Sequence, residues 1–163
     1  MVHIRDAGEE DLPGLLAIYN DVIATSTAVY RDAPATLDER REWLHARAAQ
    51  GYPVLVAADE SVVAGFASFG DFRIWPGYRF TVEHTVHVRA DCRGRGIGAA
   101  LMGPLIARAA ALGKHVMVAG VDADNEASLR FHERLGFARV AHFREVGFKF
   151  GRWLDLVFLQ RML

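Results

Sequence analysis

The segment Arg93-Gly94-Arg95-Gly96-Ile97-Gly98 is the part of the chain best suited to holding an anion. An apolar, strand-like run leads into it and a helix-like run follows. Glycines let a backbone approach a ligand closely, the first N–H groups of a helix lack partners, and the helix dipole favours negative charge. Arg93 and Arg95 add positive charge at the rim. Without that context the same residues would make a surface turn with two solvated arginines. Two better-known phosphate motifs do not fit. Gly94-x-Gly96-x-x-Ala99 matches the relaxed dinucleotide pattern, but Lys114-His115-Val116-Met117-Val118 stands where an acidic residue should meet the ribose. The next acid is Asp122, and the loop lies past mid-chain without repeated β-α-β units. A P-loop is excluded because no Gly-Lys-Ser/Thr follows.

The elements around this loop follow from hydrophobic spacing. Phe80 to Val88 reads as a long strand, with Phe80, Val82, His84, Val86 and Val88 on one face and Thr81, Glu83, Thr85 and His87 on the other. His84 and His87 make an H-x-x-H, but strand geometry sends them to opposite faces, so no shared metal is expected. Cys92 has no obvious histidine partner and reads as structural. A helix is predicted over Ile97 to Leu112, closed by Gly113, with a kink at Gly103-Pro104. A strand over Val116 to Val121 and a helix over Asn125 to Leu135 follow. Upstream, Val2 to Arg5 predicts a short strand, and Leu12 to Ile23 a helix after the acidic start Glu9-Glu10-Asp11. Thr25 to Pro34 reads as a loop and Leu37 to Ala49 as a second helix. Val54 to Ala58 and Val62 to Phe69 read as a hairpin through Asp59-Glu60-Ser61, and Gly70 to Gly77 as a loop. Strands around Ala138 to Arg144 and Leu154 to Met162 close the chain. The order predicts an α/β fold with a mixed sheet.

Composition narrows the functional classes. The 163 residues, 52% hydrophobic and 24% charged, suit one globular domain, and no linker or repeat divides them. A net charge of -1 provides no global field for nucleic acid or an anionic membrane, so an anion site must be built locally. The polar start Met1 to Asp6 has no apolar signal core, and no run approaches the roughly 20 apolar residues of a membrane span. The lone Cys92 fits a reducing cytoplasm.

Arg93-x-x-Gly96-x-Gly98 resembles the acetyl-CoA signature Q/R-x-x-G-x-G/A of the GNAT N-acetyltransferases. Asn125-x-x-Ser128-x-x-Phe131-His132-x-x-Leu135-Gly136-Phe137 is similar to the second cofactor motif of that superfamily, at the expected distance. Within it, three segments look like the phosphinothricin and methionine sulfoximine acetyltransferases: Thr81 to Val88, Gly70-Asp71-Phe72-Arg73, and Gly147 to Asp155. The resemblance implies a GNAT fold, a twisted mixed sheet flanked by about four helices, with acetyl-CoA as co-substrate and no metal. It implies that Arg93, Gly94, Arg95, Gly96, Ile97 and Gly98 hold the pyrophosphate. It further implies that Val86, His87 and Val88 bond the pantetheine arm like an added strand, and that Asn125 and Ser128 meet the arm from the other side.

Acyl transfer to an amine needs a neutral amine and a protonated leaving thiol. Glu83 is the candidate base, although a strand glutamate can also be solvated or salt-bridged. His132 stands where many relatives place a tyrosine, and the subgroup resemblance makes it the candidate acid; packing at the sheet edge is the alternative. Arg73 and Arg79 are candidates for a substrate carboxylate, because guanidinium binds carboxylate bidentately. Tyr30 and Trp75 could wall the substrate site, with Phe150 and Trp153, or belong to the core. The expected activity is transfer of acetyl from acetyl-CoA to the α-amine of a small amino-acid-like substrate, directly in a ternary complex, by a cytoplasmic homodimer. Protein N-terminal or lysine acetylation is the rival activity, and a non-catalytic CoA-binding regulatory domain the rival of another class.

Overall fold

A helix begins with N–H groups that lack partners in the helix, and the four α-helices among the described residues start in different ways. The computed structural model describes residues 1–60 and 62–163, so Ser61 of the expected Asp59-Glu60-Ser61 turn lies outside the described residues. Helix α1 (Leu12–Thr25) follows a tight turn at Glu9–Asp11, where the Asp11 carboxylate accepts from the Gly8 N–H at 2.8 Å and from Arg5 at 2.7 and 2.8 Å. Helix α2 (Leu37–Ala49) has a reciprocal cap: Thr36 N–H donates to Glu39 at 2.8 Å and Glu39 N–H donates to the Thr36 hydroxyl at 3.2 Å. Helix α3 (Ile97–Ala111) starts at Gly96, whose φ of 76° glycine tolerates without strain. Asn125 caps α4 (Glu126–Arg134) by accepting from Ser128 N–H at 3.1 Å.

Seven strands lie among the described residues: β1 (His3–Asp6), β2 (Val54–Asp59), β3 (Val62–Asp71), β4 (Thr81–Val88), β5 (Val116–Asp122), β6 (Ala138–Lys149) and β7 (Arg152–Met162). They form one sheet in the order β1-β2-β3-β4-β5-β7-β6, antiparallel except for the β4–β5 pair. Most of β2 and β3 is buried on both faces, because helices cover both. Leu12, Leu15 and Ile18 of α1 and Leu44 of α2 pack on Val54, Val56, Val63 and Phe66. Leu101, Met102 and Leu105 of α3 and Leu129 of α4 pack on the opposite face, against residues such as Ala67, Phe69, Val82 and Met117.

Two elements differ from their sequence prediction. Strand β6 continues past Arg144 to Lys149, and β7 begins at Arg152. A register shift between Phe143 and Gly147, with Glu145 at φ 56°, absorbs the break in alternation at which the prediction stopped. Phe150 (φ 52°) and Gly151 (φ 72°) then make a two-residue turn with both residues left-handed, which suits the twist of a hairpin. Helix α3 remains helical on both sides of Gly103-Pro104; Pro104 forgoes only the bond its missing N–H would have made to Ala100.

Candidate active site

Strands β4 and β5 pair at three positions only, Thr81 with Val116, Val82 with Met117 and Glu83 with Val118. Beyond Glu83 they separate. On its other side β4 stays paired to β3 as far as Val88, so the edge facing β5 carries unpaired backbone groups. The gap opens into a cleft of 890 Å³ that passes through the sheet. Val86, His87 and Val88 line one wall, and Ala119 to Asp122 the other. Arg93, Gly94, Gly96, Ile97 and Gly98 close it on the α3 side with Asn125, Ser128, Phe131 and His132, while Tyr19, Ala28 and Val29 close it on the α1 side.

The glycine loop has the shape its residues predict. Gly94 and Gly96 are left-handed at φ 75° and 76°, and a Cβ at either would meet nothing within 4 Å, so the backbone faces open space. Gly98 has a packing role as well: a Cβ there would come within 3.2 Å of the Phe131 ring. Arg93 folds back to donate to the Val88 carbonyl at 3.3 Å, and Arg95 is exposed. The open glycines, the free N-terminus of α3 and the unpaired edge of β4 fit a linear, anionic acyl carrier.

Glu83 sits at the apex of the gap, on the face opposite Val82 and His84. Burial pushes its carboxyl above the ordinary glutamate range, and the Arg73 guanidinium partly offsets this. A carboxylate so raised is a better base at neutral pH. Arg73 stacks on Phe72 at 4.2 Å and donates to the Phe72 carbonyl at 3.0 Å.

His132 lines the cleft together with His84. It is 4% exposed, and both of its ring nitrogens are engaged by the protein. Nδ1 lies 2.7 Å from the Ser128 carbonyl, which only accepts, so Nδ1 carries a proton. Nε2 lies 3.0 Å from Nε2 of His84, across from it on β4. Burial lowers both pKa values, His84 to about 3 with the neighbouring His132 as a second cause, which favours the neutral form of each ring. In the neutral pair His84 must donate from Nε2 to His132, leaving His84 Nδ1 buried without a partner. This arrangement engages both ring nitrogens of His132 within the protein and links α4 to β4.

None of the expected substrate residues Arg73, Arg79, Tyr30 and Trp75 lines the cleft directly. Arg79 turns back on its own loop, donating to the Pro76 carbonyl at 2.9 Å and stacking on Phe80 at 4.5 Å. Trp75 is 69% exposed. Tyr30 follows the lining residue Val29 and donates to the Asp155 carbonyl at 3.2 Å. Burial and the charges of Asp122 and Asp155 push its hydroxyl up to about 12, so it stays a donor. Sequence reasoning passed over Asp122, which is buried at the cleft and accepts the hydroxyl hydrogen of Thr27. It also passed over His84 as the partner of His132. A histidine on an apolar strand face was the available signal, and its meaning depended on α4 crossing that face. Among the described residues no group of three or more His, Cys, Asp or Glu side chains is placed to hold a metal, and no helix is long and apolar enough to cross a membrane.

Comparison with known proteins agrees with this geometry. The model of the acetyltransferase (GNAT) family matches residues 15–137. The chain belongs to the GNAT acetyltransferase family. It is similar to an L-methionine sulfoximine/L-methionine sulfone acetyltransferase of Pseudomonas paraeruginosa, 54% identical over 158 residues, 96% of this chain and 92% of that protein. A phosphinothricin N-acetyltransferase of Streptomyces coelicolor is 39% identical, across 99% of this chain and 96% of that protein. A structure from Salmonella typhimurium, solved with its cofactor acetyl-CoA, superposes with a TM-score of 0.96 at 46% identity, covering 99% of this chain and 94% of that one. The mixed seven-stranded sheet with four helices is the GNAT fold, and acetyl-CoA is the co-substrate of this acetyltransferase family.

Proposed function

We propose that this GNAT enzyme acetylates the α-amine of a small amino-acid-like substrate of the methionine sulfoximine, methionine sulfone or phosphinothricin type, by direct transfer in a ternary complex. The observation that carries the reading is the gap between β4 and β5, open to α3 and α4 on one face and to α1 on the other, with Glu83 at its apex. The names of the relatives supply the substrate class. On the α3 side, the N–H groups of Gly94 to Gly98 hold the pyrophosphate, with Arg93 and Arg95 at the rim. The free edge of Val86 to Val88 and the side chains of Asn125 and Ser128 hold the pantetheine arm. Glu83 takes the proton of the incoming ammonium, and Arg73, beside it, is the choice for the substrate carboxylate. The thiolate is protonated by solvent rather than by His132.

The enzyme works in the cytoplasm, where the unpaired Cys92 stays reduced, as a homodimer through the apolar side chains exposed on β6 and β7. Thiol release from acetyl-CoA with a panel of amines tests the central claim. Methionine sulfone, methionine sulfoximine and phosphinothricin should turn over at least about tenfold better in kcat/KM than matched amines lacking the carboxylate. Equal rates for the two sets would reduce the reading to a generic amine acetyltransferase.

A further inference from the structure

The segment that follows α1 forms the cleft wall on the α1 side. Ala28 and Val29 line it, and Thr27 bonds to Asp122 across the opening. What fixes this segment is a lysine from the far end of the chain. Lys149, the last residue of β6, is 1% exposed. Its ammonium donates to the carbonyls of Ile23 at 2.7 Å, Ser26 at 2.7 Å and Val29 at 2.8 Å. Three donors meet three acceptors, which is the full capacity of the group. The acceptors span the last turn of α1 and the residues beyond it, where a helix leaves carbonyls unpaired and its dipole is negative. Asp32 acts on the ammonium only at a distance, so carbonyl dipoles neutralise the charge. Desolvating a lysine is costly, and this one is matched to a single backbone arrangement. The same strand grips the segment again two residues earlier. A Cβ at Gly147 would come within 2.4 Å of the Tyr30 ring.

We propose that Lys149 is a positioning residue for amine recognition, holding residues 26–30 so that Ala28, Val29 and Tyr30 form the wall against which the substrate is placed. The proposal rests on the reading above, in which the amine enters from the α1 face and acetyl-CoA from the other. Lys149→Met keeps most of the stem and removes the donors. It should raise the KM for methionine sulfone by about tenfold or more and leave the KM for acetyl-CoA within about twofold. Gly147→Ala disturbs the same wall through Tyr30 without touching Lys149, and should also raise the amine KM selectively. A folded Lys149→Met enzyme with an unchanged amine KM overturns the role of Lys149, even where Gly147→Ala behaves as expected. A rise in the acetyl-CoA KM instead, in both variants, overturns the assignment of the two faces. Should Lys149→Met not fold, the native enzyme decides, since Lys114 and Lys149 are its only lysines. Nitrogen-15 labelling of lysine then gives two ammonium signals. Saturating methionine sulfone should shift that of Lys149 and leave that of Lys114 in place. An unmoved Lys149 signal overturns the proposal.

Discussion

At the scale of single residues, the proposed chemistry rests on a carboxylate kept in an unfavourable place. Glu83 is half-buried with Arg73 as its partial counter-charge, and its pKa is raised. The same desolvation that makes it a base costs the fold stability. An acid whose folded pKa lies above its unfolded value weakens the fold as pH rises through the ordinary glutamate range, and the loss persists at pH 7. Glu83→Gln should therefore do two opposite things. It should lower kcat/KM by about 10²–10⁴-fold near pH 7, the usual worth of a general base, with acetyl-CoA affinity nearly intact. The defect should shrink toward pH 9.5, because more of the amine then arrives neutral. It should also raise Tm at pH 7, with the gain vanishing toward pH 3, where the wild-type carboxyl is protonated in both states. An activity defect of constant size between pH 7 and 9.5, in a folded variant that binds acetyl-CoA normally, would make Glu83 a scaffold residue.

At the scale of elements, the loop before α3 was legible because its function is a property of local backbone. Gly94 and Gly96 are left-handed and open on the Cβ side, and both conditions follow from the residue type at a strand-to-helix turn. Gly96→Val should weaken acetyl-CoA binding by at least about tenfold, roughly 1.4 kcal/mol, as read by calorimetry. A folded variant of unchanged affinity would remove this loop from the binding site. The faces of β4 were legible for a similar reason, since strand alternation is set by geometry alone: His84 meets His132 of α4, and His87 packs on Phe66 and Tyr19 from the opposite side. What could not be read depends on contacts between distant segments. His132 was expected to be free to act as an acid, and only the crossing of α4 over β4 shows both of its nitrogens occupied. Lys149 carried no local signal at all, because its partners are carbonyls 120 to 126 residues away. The length of β6 was missed where Glu145-Val146-Gly147 breaks the period of two, a break that the pairing with β7 absorbs.

At the scale of the whole molecule, the β6–β7 hairpin faces two ways. One side holds the segment after α1, the proposed substrate wall, through Lys149, Gly147 and Asp155, and the other exposes apolar side chains at the edge of the sheet. Phe143, Val146, Phe148, Phe150 and Trp153 are each 47–62% exposed, with Phe148 and Trp153 packed edge to face across the hairpin at 4.9 Å between ring centroids. A monomer leaves such a patch, and an edge strand beside it, in contact with water at a cost in solubility. In the proposed homodimer a second copy would cover both, because a two-fold interface pairs a surface with itself. Aromatic side chains at the centre of such an interface carry most of the binding energy, and a charge placed there is desolvated without a partner. Trp153→Glu should therefore convert a wild-type dimer to monomer, raising the dissociation constant by about 10²-fold or more in sedimentation equilibrium. Because Trp153 is largely exposed in the single chain, the monomer itself should lose little stability, within about 0.5 kcal/mol. Loss of the dimer should lower activity, mainly through the amine KM, because the hairpin proposed to meet the second copy also fixes residues 26–30. A wild-type enzyme that is monomeric at micromolar concentration, or a Trp153→Glu variant that dimerises as before, would remove this face as the interface. A monomeric variant with an unaltered amine KM would separate the interface from the substrate wall.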